Sequence, residues 1–448
     1  MKRFLAFAAA MLVLLAASGC AMRAGADLLK APKPDKDNQA ITDELELLKG
    51  WDGVYTTPYA GTNRNAVQMK DLDGDGIEEV VAFFQTPKGG NRFETVVLGK
   101  RDEAYVQLGS IAGTGTQINS VSYPILDKTG RCGILICWQQ VSESENRFSL
   151  AVCTGGQVRT LLEGAYSSIL PADLDSDGAQ ELVVLNVPEG GRSTATIYEY
   201  DAAADAMNLA GEAPLSGVAK VIYKVAAGYI ADRQPAVFAE ERIEGGAGRQ
   251  TDIFVYSQTD GLRNLALETE SGQGKSTYRA VAVNAYDVNG DGMTEIPRAV
   301  RMVGSESGAA DAAYMLDWYL YSAGAEPAYV MTTYRNVSQG WDFTISKAWH
   351  DAVRAVKGTE NGSEYTCFVI FDPEGDDIPL LTVYYLLGEE NRRTLDSADG
   401  MILLGSTSTA TIAARIPAAA SGSSLALTEE QVKERFSLVA DDWNAPLS

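Results

Sequence analysis

The sequence predicts a mainly-β chain assembled from repeated strand–loop–strand units. Three observations predict it. A nine-residue acidic segment is written three times: DLDGDGIEE at Asp71–Glu79, DLDSDGAQE at Asp173–Glu181 and DVNGDGMTE at Asp287–Glu295. Strand-length apolar runs flank the copies, with AVQMK, SSILPA and AVAVNAY before them and VVAFF and LVVLNV after the first two. The copies open at Asp71, Asp173 and Asp287, so they lie 102 and 114 residues apart, a regular spacing over much of the chain.

Each copy carries oxygen side chains at positions 1, 3, 5 and 9 and glycine at position 6. The sets are Asp71, Asp73, Asp75 and Glu79; Asp173, Asp175, Asp177 and Glu181; and Asp287, Asn289, Asp291 and Glu295. Ca2+ takes six to eight oxygen ligands, and alternate carboxylates on a short loop wrap around one ion. Glycine permits the positive-φ turn that returns position 9 to it. The carbonyls of Ile77, Ala179 and Met293, at position 7, are the expected backbone ligands. A solvated acidic turn is the bland alternative, and three copies with the same ninth residue argue against it.

These loops are not EF-hands, which need a bidentate Glu at position 12 and flanking helices. Position 12 is Ala82, Val184 or Arg298. A calcium loop joining two strands, repeated, resembles the FG-GAP/VCBS type of repeat in calcium-binding β-propellers such as integrin α-subunit heads. The nine-residue loops and the apolar strand after each carry the resemblance. It implies a β-propeller with up to three structural Ca2+ ions.

A four-stranded blade takes ~40–50 residues, so each interval holds two. Five blades are expected, over about 65–112, 113–163, 164–212, 213–268 and 269–334. The intervening blades carry decayed loops. Ile125–Trp138 keeps Asp127 and Gly130 but has Thr129 and Arg131 where ligands belong, and Gly228–Glu241 keeps only the loop-then-strand shape. Past Tyr334 the pattern fails. Trp341–Val356 reads as a strand entering a short helix, further strand-like runs follow, and Val432, Phe436, Val439 and Trp443 form one helical stripe behind a Thr428/Gln431 capping box. Residues 336–448 are therefore expected as a C-terminal α+β domain ending in an amphipathic helix. The rival assignment makes these strands blades six and seven. The acidic DPEGDDIP at Asp372 has its Gly in the wrong place and reads as an ordinary turn.

The N-terminus reads as a targeting segment. Lys2 and Arg3 precede an apolar run from Phe4 to Ala17, and Ala17-Ser18-Gly19-Cys20 resembles a bacterial lipobox. That likeness implies a signal peptide over 1–19 and a lipid on Cys20, which would anchor the chain to the membrane. An ordinary signal peptide with an incidental Cys is the alternative. Residues 20–50 are expected as a tether, flexible over Ala21–Gln39, with a short helix at Ile41–Leu48; the propeller spans 51–335. From lipobox to terminal helix, the chain resembles bacterial VCBS-repeat lipoproteins, a likeness that brings no activity with it.

With 37 basic and 60 acidic residues, the formal charge is −23. Such a surface repels nucleic acid and anionic headgroups. Cys137 and Cys153 are expected on paired strands, either bonded or as buried thiols. His350 is the only histidine, so any His-based triad depends on it. GSESG at Gly304–Gly308 has Glu306 where a nucleophilic serine would sit, and no phosphate loop is present. Alternation along a strand puts half of Tyr314, Trp318, Tyr319 and Tyr321 in the core. The expectation is a membrane-anchored, calcium-stabilised propeller that is not an enzyme and binds carbohydrate, peptide or protein. The alternative is an exported glycosidase or lyase on the same fold.

Overall fold

The computed structural model describes residues 36–439 apart from 87–91, 103, 142–145, 217–218, 244–247, 268–276, 306–312 and 389–399. The expected signal peptide and Cys20 lie outside them, as do Trp443 and most of the expected tether.

Six antiparallel sheets follow one another along the chain. The first holds Val54–Tyr55, Val67–Lys70, Glu79–Thr86, Arg92–Arg101 and Ala104–Ala112; the second Gln117–Ser122, Gly133–Gln139, Arg147–Thr154 and Gln157–Ala165. The third holds Ser168–Ala172, Glu181–Asn186, Thr194–Asp201 and Ala206–Pro214; the fourth Ala219–Tyr229, Pro235–Ile243, Arg249–Ser257 and Gly261–Asn264. The fifth holds Glu295–Arg301, Tyr314–Leu320, Ala328–Asn336 and Trp341–Ile345, with Phe436–Leu438 added at its edge. The sixth is built from Val353–Glu360, Ser363–Ile370, Ile378–Leu387, Met401–Ser406 and Ala410–Arg415. Each of the first four is a meander of hairpins, the blade of a β-propeller.

Alternation along the strands explains the stacking, because successive side chains point to opposite faces. In the second sheet, Ile134 and Ile136 pack towards the first sheet, with Val81, Phe83 and Val97. Leu135 and Cys137 pack the other way, with Ile169, Leu182 and Val184 of the third sheet. The third and fourth sheets share Val183, Ile197, Val237 and Phe254, and Phe238, Ile253 and Ile296 join the fourth to the fifth. Trp341, Phe343, Phe368 and Leu381 join the fifth to the sixth. The sheets thus bury one another in chain order.

Three expectations are corrected. The five expected blades are present, but a sixth sheet follows them, and Trp341–Ile345 pairs with Ala328–Asn336, so the fifth sheet runs across the boundary expected at 335/336. The short helix expected at Ile41–Leu48 is present but starts earlier, at Lys36, within the stretch expected to be a flexible tether. Its Ile41 and Leu45, one turn apart, cover Val80, Ala82, Phe84 and Val96 on the outer face of the first sheet, and Asp37 pairs with Lys100 at 2.7 Å. The C-terminal helix has its capping box but ends at Arg435. Phe436 pairs with Phe343 instead of continuing the turn, and its ring lies 5.9 Å from that of Trp341.

Candidate metal centres

The three acidic loops share one framework. The first two join paired strands, Val67–Lys70 to Glu79–Thr86 and Ser168–Ala172 to Glu181–Asn186, and the third leads into Glu295–Arg301; in all three the residue before the loop faces its ninth residue: Lys70 with Glu79, Ala172 with Glu181, and Tyr286 with Glu295. The second residue of each loop donates its N–H to that Glu, from Leu72 at 2.9 Å, Leu174 at 2.7 Å and Val288 at 3.0 Å. The sixth-position glycines donate to the opening aspartates, Gly76 to Asp71, Gly178 to Asp173 and Gly292 to Asp287, at 2.9, 3.1 and 2.8 Å. The N–H groups of Ile77, Ala179 and Met293 bind Asp75, Asp177 and Asp291 at 2.7 to 2.8 Å. Backbone donors thus hold the loop carboxylates in place.

Positions 1, 3 and 9 converge. Oxygens of Asp71, Asp73 and Glu79 lie within 4.8 Å of one another, as do those of Asp173, Asp175 and Glu181. Asp75 and Asp177 stand outside these triads. The third loop has Asn289 at position 3, which leaves Asp287 and Glu295 as its carboxylates there, and Asn289 Nδ2 donates to Asp291 at 2.8 Å.

The ninth-position glutamates are the buried members. Burial, with the charges of Asp73, Asp75 and Asp71, pushes Glu79 up to about 7, against the lowering effect of the Leu72 N–H. Burial, with Asp175 and Asp173, pushes Glu181 up to about 8. Burial, with Asp291 and Asp287, pushes Glu295 up to about 7. Glu295 Oε1 is buried without a hydrogen-bond partner. A hard divalent cation fits these residues: the donors are all oxygen, and the ion would stabilise carboxylates that burial and mutual repulsion disfavour.

The loops lie at one end of the molecule, where neighbouring sheets touch them. Cys132 N donates to Leu72 O at 3.0 Å, and Gln180 and Ile125 exchange bonds of 2.7 and 3.0 Å, so the decayed loop of the second sheet bridges loops one and two. In that decayed loop Arg131 faces Asp127 at 3.7 Å, a guanidinium taking the place of an ion. Arg233, on the fourth sheet's turn, donates to Asp291 O at 2.9 Å.

The other chemistry-bearing residues are structural. Cys137 faces Phe148 and Cys153 faces Val158, and the two thiols enter different intersheet cores. The bonded alternative is therefore set aside, because the register does not bring them together; both are free. His350 Nδ1 lies 2.6 Å from Asp351. Trp318 and Tyr321 are buried, and Arg298 covers Tyr319 at 4.1 Å. The Asp372 turn is closed by its own N–H bonds and by Arg354 on Asp377. Sequence reasoning missed a cavity of about 330 Å3 beside loops one and two, lined by Gln68–Lys70 of the first sheet, Ser122 of the second and Leu170–Pro171 of the third. Its walls come from strands about 50 residues apart, a juxtaposition that no local pattern encodes.

Sheets and loops together define a β-propeller with acidic loops on one end. No family model matches the sequence, and no curated protein matches it. Solved structures similar to it include a protein from Lactobacillus plantarum, at 10% identity and a TM-score of 0.29 over 72% of this chain and 85% of that one. The β-propeller domain of the Trilobed protease from Pyrococcus furiosus is similar at 13% identity and a TM-score of 0.26, over 72% and 91%. The periplasmic gluconolactonase of Pseudomonas aeruginosa is similar at 11% identity and a TM-score of 0.29, over 72% and 86%. The set contains an enzyme and a domain of a protease, and the expectation that the chain is not an enzyme is not kept.

Proposed function

We propose that the chain is an extracytoplasmic β-propeller of the VCBS type, tethered to the membrane through a lipid on Cys20, whose acidic loops hold structural Ca2+ and whose loop-bearing end binds a ligand. The observation that carries this is the framework repeated three times around a buried glutamate, down to the backbone donors. Sites in extracellular modules bind calcium at ~0.1–1 mM. At ~1 mM free calcium and a dissociation constant of ~0.1 mM, each site would add about 1.4 kcal/mol. The test is elemental analysis of the purified chain together with melting in millimolar calcium and in excess chelator. Bound calcium and a melting temperature several degrees lower in chelator are expected; identical melts with no bound calcium would refute the reading. Release from the membrane fraction by Cys20→Ser tests the anchor. A second reading, an exported carbohydrate-active enzyme on the same fold, is favoured by the polar cavity beside loops one and two, and a screen for turnover of glycans and sugar lactones tests it.

A further inference from the structure

The cavity of about 330 Å3 is at the small end of ligand-site volumes. Its wall is built without a ligand. Tyr123 OH donates to Gln68 Oε1 at 2.6 Å, and Gln68 Nε2 donates to the carbonyls of Asn63 and Asn65, both at 2.9 Å. Gln68 is only 9% exposed, so this hydrogen-bonded wall is held in place by packing.

Its charge is unusual for this chain. The protein has 60 acidic and 37 basic residues, yet no carboxylate lines the cavity and Lys70 does. Lys70 is half-buried, and none of the ion pairs among the described residues uses its Nζ. Gln180, at the eighth position of loop two, accepts the Ile125 N–H through Oε1 at 3.0 Å, which leaves its Nε2 as the donating end. Met69, Leu170 and Pro171 supply apolar surface. One cation, fixed amide groups and apolar carbon match a molecule with one negative group, several hydroxyls and a carbon ring.

We propose that this cavity binds a small sugar acid, with its carboxylate on Lys70 and its hydroxyls on the amides of Gln180 and Asn63. The proposal rests on the carbohydrate reading above. A carboxylate on a half-buried lysine gains a charge-assisted hydrogen bond, roughly twice as strong as a neutral one. The uncharged parent sugar, of nearly the same shape, lacks that bond.

The test is a calorimetric titration of the full-length chain, in millimolar calcium, with glucuronate and separately with glucose. Saturable binding of glucuronate at least ten-fold tighter than glucose is expected, and Lys70→Met, checked by its melting curve, should abolish the difference. Gln180→Ala, in loop two, should weaken both sugars. No saturable binding of glucuronate, equal binding of the two sugars by the unaltered chain, or a preference unchanged in a folded Lys70→Met variant each overturns the proposal. Turnover of neutral glycans alongside such a failure leaves the carbohydrate reading standing and removes only this site.

Discussion

Lys128, in the second sheet's loop that has lost its ligands, reaches Asp177 in the third sheet's acidic loop, with 3.4 Å between Nζ and Oδ2. The lysine side chain is 70% exposed, so the pair itself contributes ~0–1 kcal/mol. Its effect on a bound cation has the opposite sign. Lys128→Met is expected to tighten calcium binding at loop two by ~2–5-fold at low salt, for a like-charge cost of ~0.5–1 kcal/mol, and by less at high salt. Calorimetric titration checks this, and weaker binding in the variant would show that the lysine supports the loop instead.

Acidity should act in opposite directions on the metal-free and calcium-loaded chains. Glu79 and Glu295 are held up at about 7 and Glu181 at about 8, against an unfolded value of ~4.3. The metal-free folded state therefore keeps protons that the unfolded state releases. Stability from this source is fully present below the unfolded value and is lost as pH rises through about 7 to 8. Calcium needs the same glutamates deprotonated, so its stabilising effect grows over that interval. Melting temperatures with and without calcium should diverge from about pH 5 to about pH 9. Parallel curves would mean that these glutamates are not ligands.

Two loop glycines should respond differently to alanine. Gly178 has φ 92° and open space where a Cβ would stand, so Gly178→Ala should cost only the left-handed backbone penalty, ~1–2 kcal/mol. Gly74 has φ 81°, and a Cβ there would lie 2.7 Å from the carbonyl oxygen of Thr129. Gly74→Ala should cost more than Gly178→Ala in denaturant unfolding. Loop two already carries Ser176 at the position matching Gly74, with φ 62°. Equal costs would count against contact between loop one and its neighbour.

The thiols should be silent in the folded chain. Burial pushes Cys137 and Cys153 up to about 11, so at neutral pH neither is a thiolate nor accessible. Thiol reagents should modify them only after denaturation. A Cys137–Cys153 disulfide in a non-reducing digest would contradict the register of the second sheet.

Much of the site was legible because its signals are local. The glycine and carboxylates of Asp71–Glu79 dictate their own turn, and alternation in Gly133–Gln139 separates the two buried faces. What was not legible depends on partners distant in sequence. Phe436 continues the helical stripe of Val432, yet pairing with Phe343 and a tilted ring contact with Trp341 draw it into a strand. The turn between Cys137 and Cys153 was visible, but its register is set by Trp138 opposite Arg147. Asp75 and Asp177 stand outside the triads although the spacing gives them the same part as the other loop carboxylates, a difference in placement that spacing alone does not reveal.

Because each sheet buries its faces mainly against its neighbours in sequence, the order of synthesis is also an order of assembly. As chains fold from the N-terminus during synthesis, each new blade meets an exposed apolar face already waiting on the one before. The fifth sheet is the exception. Its edge stays open after the sixth has formed, until Phe436–Leu438 arrives from nearly a hundred residues further on. The free edge is a template for pairing with other chains in the meantime, so a ribosome stalled short of Phe436 would release a molecule with most of its blades assembled and one more open strand edge than the finished chain has.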